Sequence, residues 1–121
     1  MQAKRVVIVD DEVLIAWHLR KICEESGSQV VGVAHGVLSA LKMILDQKPD
    51  YVLMDLRLGE QRDGVDVARE VLAKLPTTKF IFVTGDKESL SIARIESVRP
   101  QDIFIKPVAP AAVSKALNGS N

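Results

Sequence analysis

The 121-residue sequence has a single cysteine, Cys23. One thiol closes no internal disulfide and fits a reducing compartment. Neither sign of charge is in excess, with Lys+Arg and Asp+Glu at 16 each. That excludes a global basic field of the kind that attracts nucleic acid or anionic lipid. No apolar run approaches the roughly 18 residues of a membrane-spanning helix. The N-terminal run 6–9 is short and ends in acids, so it does not resemble a signal peptide. No internal repeat, low-complexity segment or linker interrupts the chain. Together these absences predict a soluble, cytoplasmic protein in which residues 1–121 form one domain.

What is present is alternation. Short apolar runs at 6–9, 30–34, 51–54, 80–83 and 103–105 read as strands. Between them lie helical stripes. Leu14, Ile15, Leu19 and Ile22 form the first, with Trp17 expected to be partly buried on the same helix. Val37, Ala40, Leu41, Ile44 and Leu45 form the second, at i, i+3, i+4, i+7 and i+8. Val65, Ala68, Val71, Leu72 and Leu75 form the third, and Val113, Ala116 and Leu117 the last. Residues 88–98 share no clean face, while "LRLGEQRDG" reads as a loop. Strands alternating with helices predict βαβ units and a parallel sheet. Short continuous apolar runs suit strands covered on both faces.

That arrangement gathers chemistry at one edge. In open α/β sheets, ligands bind beyond the carboxyl ends of the strands. Asp10 and Asp11 follow the first run, His35 the second, Asp55 the third, Thr84 ends the fourth, and Lys106 follows the fifth. Each alone has an ordinary reading. Asp11 could N-cap the next helix, and Asp55 could begin a turn. Thr84-Gly85 is an ordinary strand exit, Lys106-Pro107 an ordinary loop, and His18 and His35 read as surface or edge residues. Their convergence from separate strand ends favours a shared function.

Like charges at a core edge need relief. Two carboxylates 4 Å apart repel by roughly 4 kcal/mol at an effective dielectric near 20. A hard divalent cation relieves this, and oxygen donors without histidine or cysteine favour Mg²⁺, with Mn²⁺ an alternative, over Zn²⁺. A carboxylate can also act as a nucleophile and form an aspartyl phosphate. The added charge then calls for ammonium and hydroxyl donors, here Lys106 and Thr84.

The stretches "VVIVDDE", "DYVLMDLRL", "DGVDVARE", "FIFVTG" and "IFIKP", in this order, resemble the receiver domain of bacterial two-component response regulators. The resemblance covers about residues 4–117. It implies a doubly wound, flavodoxin-like α/β fold: five parallel strands in the order 2-1-3-4-5, flanked by five helices. It implies Asp55 as phosphoacceptor, with Asp11 and Asp55 binding Mg²⁺ directly and the backbone carbonyl of Arg57 as a third ligand. Asp10 would act mainly through metal-bound water. Thr84 and Lys106 would contact the phosphoryl group. The donor would be a histidine kinase or a histidine phosphotransfer protein. The domain would catalyse its own phosphorylation and dephosphorylation rather than turn over a substrate, and would switch a protein-interaction surface. The recipient of the signal would be a downstream protein or an output domain outside this chain, with neither nucleic acid nor membrane bound by this domain alone.

Three features depart from that family's pattern. Gly59 stands where proline is usual, four residues after the acceptor. The stretch 55–64 is one residue longer than usual. Ile103 stands where many relatives carry a rotating Tyr or Phe. "FVTG" also resembles a receiver subgroup with an irregular fourth helix. Rival classes fit less well. A phosphatase of the haloacid dehalogenase type needs Asp-x-Asp, whereas Asp10 and Asp11 are adjacent. A nucleotide- or flavin-binding domain needs a Gly- or hydroxyl-rich first loop, and "VDDE" offers negative charge instead. A receiver-like interaction domain without phosphorylation would lack the acids, Thr84 or Lys106.

Overall fold

The computed structural model describes residues 3–119. Five strands are present: β1 Arg5–Val9, β2 Gln29–Ala34, β3 Tyr51–Met54, β4 Lys79–Thr84 and β5 Asp102–Ile105. Five helices alternate with them: α1 Val13–Glu25, α2 Val37–Gln47, α3 Gly64–Lys74, α4 Ser89–Glu96 and α5 Pro110–Leu117. All neighbouring strands pair in parallel, in the order β2-β1-β3-β4-β5. The doubly wound α/β fold expected from the sequence is therefore the observed one.

Alternation along the strands divides the core into two layers. Val7, Val9, Val52, Met54, Phe80 and Phe82 pack with Ile44 of α2, Val71 of α3 and Ile95 of α4. Val6, Ile8, Leu53, Ile81 and Val83 face the other way, toward Leu19 of α1 and Val113 and Leu117 of α5. Strands covered on both faces are apolar through their middles, which is why β1, β3 and β4 show as unbroken runs at 6–9, 51–54 and 80–83. Cys23 lies in the second layer, where burial pushes its thiol up to about 12. It stays protonated and unreactive.

Register fixes where the strands end. Val9 pairs with Ala34 and with Met54, Met54 with Phe82, and Thr84 with Ile105. The residues that follow are held by the same ladder. Asp10 N donates to Ala34 O at 3.1 Å, Asp55 N to Val9 O at 2.9 Å and Lys106 N to Thr84 O at 2.9 Å. Asp10, Asp55, Thr84 and Lys106 thus leave the sheet along one edge.

Two helices differ from expectation. The buried face of α1 is Ala16, Leu19, Ile22 and Cys23, while Leu14 is 80% and Trp17 59% exposed. The helix carries apolar residues on more than one side, so spacing alone did not select the face that packs. The Trp17 ring is partly covered by Lys21, whose Nζ lies 5.6 Å from its centroid. Residues 89–96 form a regular α-helix rather than an irregular segment. Only Ser91 and Ile95 of α4 are buried, so this short helix shows no broad apolar stripe.

Candidate functional site

The strand edge brings the predicted residues together. Carboxylate oxygens of Asp10, Asp11 and Asp55 all lie within 4.8 Å of one another. Asp10 is fully buried, Asp55 is buried, and Asp11 stands exposed at the rim. Lys106 Nζ donates to Asp10 Oδ2 at 2.9 Å and to Asp55 Oδ2 at 3.2 Å. Asp10 Oδ1 accepts from Glu12 N at 2.9 Å, which turns the chain at the end of β1. Asp11 is not a helix cap: Glu12 holds the N-cap position of α1, and its side chain makes no cap bond. His35, expected to have no part in the site, places Nδ1 2.8 Å from the Asp10 carbonyl oxygen.

The electrostatics follow from burial and crowding. Burial pushes the Asp55 carboxyl up, the Asp10 charge adds to this, and Lys106 opposes it, leaving Asp55 at about 6. Burial alone would lower the Lys106 ammonium, but its bonds to Asp10 and Asp55 outweigh that and hold it above its ordinary value. Three carboxylates face one ammonium, so negative charge at the edge remains uncompensated. All the donors are hard oxygens, a set that fits Mg²⁺ or Mn²⁺.

Thr84 is fully buried, and its Oγ1 accepts from Asp86 N at 3.1 Å, leaving the hydroxyl proton free to donate elsewhere. Asp11, Asp55, Arg57, Thr84 and Lys106 line a cleft of about 350 Å³ that opens to solvent. Ile103 pairs with Phe82 and packs against the core layer shared by α3 and α4.

Residues 56–63 show why glycine suits position 59. Gly59 has φ +71°, outside the range a proline ring allows. A Cβ there would also come within 3.3 Å of Asp11 Oδ2. Glu60 turns away from the cleft, and its Oε2 accepts from Val37 N at 2.8 Å. It thereby caps α2, whose own N-cap residue is Gly36. At the end of the loop, a Cβ on Gly64 would collide with the Asp55 carbonyl oxygen, so α3 starts directly behind Asp55.

Several supporting residues carried no weight in the sequence. Asp63 N-caps α3 in a capping box: its Oδ1 accepts from Asp66 N at 3.1 Å, and Asp66 Oδ2 accepts from Asp63 N at 2.9 Å. An acid three residues ahead of another, just before an apolar stripe, was the available signal. Arg94 of α4 then forks onto Asp63, Nε to Oδ2 at 2.8 Å and Nη2 to Oδ1 at 3.0 Å. The Arg57 side chain bonds Asp86 Oδ2 through Nε at 3.2 Å and Nη2 at 3.1 Å. Nothing local in the sequence announces either pairing.

Among the described residues, no helix is long and apolar enough to cross a membrane. Residues 6–118 match the family model of the response regulator receiver domain. The chain is 30% identical to the chemotaxis protein CheY of Thermotoga maritima, over 95% of both chains. It is 38% identical to the transcriptional regulatory protein PdtaR of Mycobacterium tuberculosis, over 86% of this chain and 50% of that one. It spans 43% of the phyllosphere-induced regulator PhyR of Methylorubrum extorquens, at 32% identity over 96% of this chain. Among solved structures, the signal receiver domain of a modulated diguanylate cyclase from Desulfovibrio desulfuricans superposes with a TM-score of 0.89. That likeness is 30% in sequence and covers 98% of this chain and 93% of the other. With the acids and the lysine gathered at the carboxyl edge of a sheet of this topology, the chain belongs to the response regulator receiver family of two-component signalling.

Proposed function

We propose that Asp55 accepts a phosphoryl group from a phosphohistidine on a histidine kinase or phosphotransfer protein. The observation that carries this is the Lys106 ammonium bridging Asp10 at 2.9 Å and Asp55 at 3.2 Å, beside Asp11. An Asp55 oxygen attacks phosphorus and the phosphorus–nitrogen bond breaks. The histidine nitrogen leaves with the electron pair and takes up a proton. Water attacking the same phosphorus later releases phosphate and restores the carboxylate.

Asp11, Asp55 and the Arg57 backbone carbonyl would hold Mg²⁺, with Asp10 acting through bound water. Asp10 suits an indirect role because its two oxygens already accept from Glu12 N and Lys106 Nζ. The cation supplies charge neutralisation as phosphoryl oxygens approach the acids. Lys106 and the Thr84 hydroxyl donate to those oxygens, and charge-assisted bonds of this kind are the strong ones. Residues 1–121 act as one receiver unit that signals through a downstream protein or an output domain.

Intact mass after incubation with acetyl phosphate and Mg²⁺ tests the assignment. One phosphoryl adduct is expected on wild type and none on Asp55→Asn or with chelator present. An Asp55→Asn protein that gains phosphate at the wild-type rate would overturn it.

A further inference from the structure

Lys106 and Arg57 are the two cations that line the cleft, and they are differently committed. Lys106 is 16% exposed and tied to two site carboxylates. The Arg57 side chain is 64% exposed and tied to Asp86, which belongs to the loop before α4, with a longer contact from its Nη2 to Ser91 Oγ at 3.4 Å. Asp86 does not depend on that arginine. Its Oδ2 also accepts from Ser91 Oγ at 2.7 Å and its Oδ1 from Glu88 N at 3.1 Å. Its backbone N–H meanwhile holds Thr84 Oγ1. Arg57 can therefore leave without orphaning a carboxylate, and can move without unburying its own charge.

We propose that the Arg57 side chain is a second phosphoryl-binding group, which transfers from Asp86 to the phosphoryl oxygens once Asp55 is modified. This rests on the reading of Asp55 as acceptor. The driving force is a choice between anions. Asp86 offers Arg57 one oxygen of a monoanion already served by two other donors. A phosphoryl dianion in the same cleft offers several oxygens and the geometry a planar guanidinium fork fits best. Transfer unties Asp86 from residue 57 while Ser91 still holds it to α4. Thr84, drawn toward the same oxygens, pulls on the Asp86 backbone. Released from Arg57 and drawn along by Thr84, residues 85–91 take a new position against the site, so the signal leaves by the α4 side. Ile103 has neither a ring nor a hydroxyl to carry it, and an arginine changing partners supplies the element that position lacks.

The two partners give the test its resolution. If the pair matters only as a structural strut, Arg57→Gln and Asp86→Asn break one bond and shift phosphoryl binding in the same direction. If Arg57 transfers, they shift it in opposite directions, because Asp86 is the competitor. Beryllofluoride with Mg²⁺, titrated by ¹⁹F NMR and calorimetry, reports the affinity. Arg57→Gln should weaken binding roughly tenfold, the size expected for one charge-assisted contact, and Arg57→Lys should recover part of that. Asp86→Asn should tighten it about threefold in an otherwise wild-type protein and leave it unchanged in Arg57→Gln, which separates competition from a general field effect. The Arg57 Nε–Hε resonance should shift on saturation. Unchanged affinity in Arg57→Gln, equal signs for the two single variants, or an Asp86→Asn gain that persists without Arg57 would each overturn the transfer while leaving Asp55 as acceptor. Wild-type protein that takes up no beryllofluoride would overturn both.

Discussion

Helices α3 and α4 pack on the same face of the sheet, yet different forces hold them. α3 buries Val65, Val67, Ala68 and Val71 and carries a complete capping box. α4 buries Ile95 and Ser91, leaves Leu90 86% exposed, and is tied down by Arg94 on Asp63 and by Ser91 on Asp86. Apolar burial has no competing partner in the folded state, so it persists until the fold is lost. An ion pair can exchange one anion for another. The helix behind Asp55 rests mainly on apolar burial, whereas the helix beside the cleft adds polar ties to a single buried isoleucine.

The largest effect should come from breaking the apolar anchoring. Val71→Asp would bury an unpaired charge in the core of α3, at a cost of several kcal/mol against a total stability of about 5–15 kcal/mol. The protein should lose much of its stability margin and unfold at a far lower urea concentration. Leu90→Asp, on the exposed side of α4, should stay within about 0.5 kcal/mol of wild type. Urea denaturation followed by circular dichroism checks both. Comparable losses would end the contrast between the helices.

A smaller effect is expected from the fork. Arg94→Ala leaves the Asp63 carboxylate with its cap donors but without its cation. With Arg94 about a third exposed and Asp63 buried, the pair stands between exposed and buried cases, so about 2–3 kcal/mol is expected. Burial pushes the Asp63 carboxyl up, but bonds from Arg94 and from the Asp66 and Val65 amides outweigh this and hold it below the ordinary carboxylate range. A folded-state pKa below the unfolded one stabilises at neutral pH, and that stability disappears as pH falls below about 4. Hydrogen exchange should speed up more in residues 89–96 than in 64–74. Equal acceleration in the two helices would mean that the fork supports the whole domain rather than α4.

The sequence showed most of what lies along the strands and little of what lies between elements. β1, β3 and β4 were legible because burial on both faces leaves an unbroken apolar run in each, at 6–9, 51–54 and 80–83. Asp10, Asp11, Asp55, Thr84 and Lys106 were legible because each adjoins or ends such a run and parallel strands share a carboxyl edge. The exposure of Leu14 and Trp17 was not, since periodicity cannot choose between two apolar sides of one helix. The Arg94–Asp63 and Arg57–Asp86 pairs join residues 31 and 29 positions apart, and only the packing of α4 brings them together. Glu60 as the cap of α2 is hidden for the same reason, 23 residues from the amide it serves.

Asp63 and Asp55 differ most sharply, one acid held for stability and one held against it. Asp55 sits at about 6 in the folded protein, raised first by burial and then by Asp10, with Lys106 opposing. A folded-state pKa above the unfolded one makes the protonated form the stabilised one. That stability is fully present below about pH 4 and is lost as pH rises through about 6. Asp55 therefore opposes folding at neutral pH, the reverse of Asp63. A two-unit rise corresponds to about 2.7 kcal/mol at most, and solvent in the open cleft reduces this to about 1–2 kcal/mol. Asp55→Asn should be as stable as wild type near pH 4 and more stable by that margin at pH 7, with Lys106 still paired to Asp10 in both. Millimolar Mg²⁺ should narrow the gap at pH 7 by stabilising wild type alone. Urea titrations at both pH values, with and without the cation, measure all four quantities. An Asn variant less stable than wild type at pH 7 would show that the Lys106–Asp55 bond outweighs burial and the Asp10 charge, and that Asp55 is held in place by attraction rather than against repulsion.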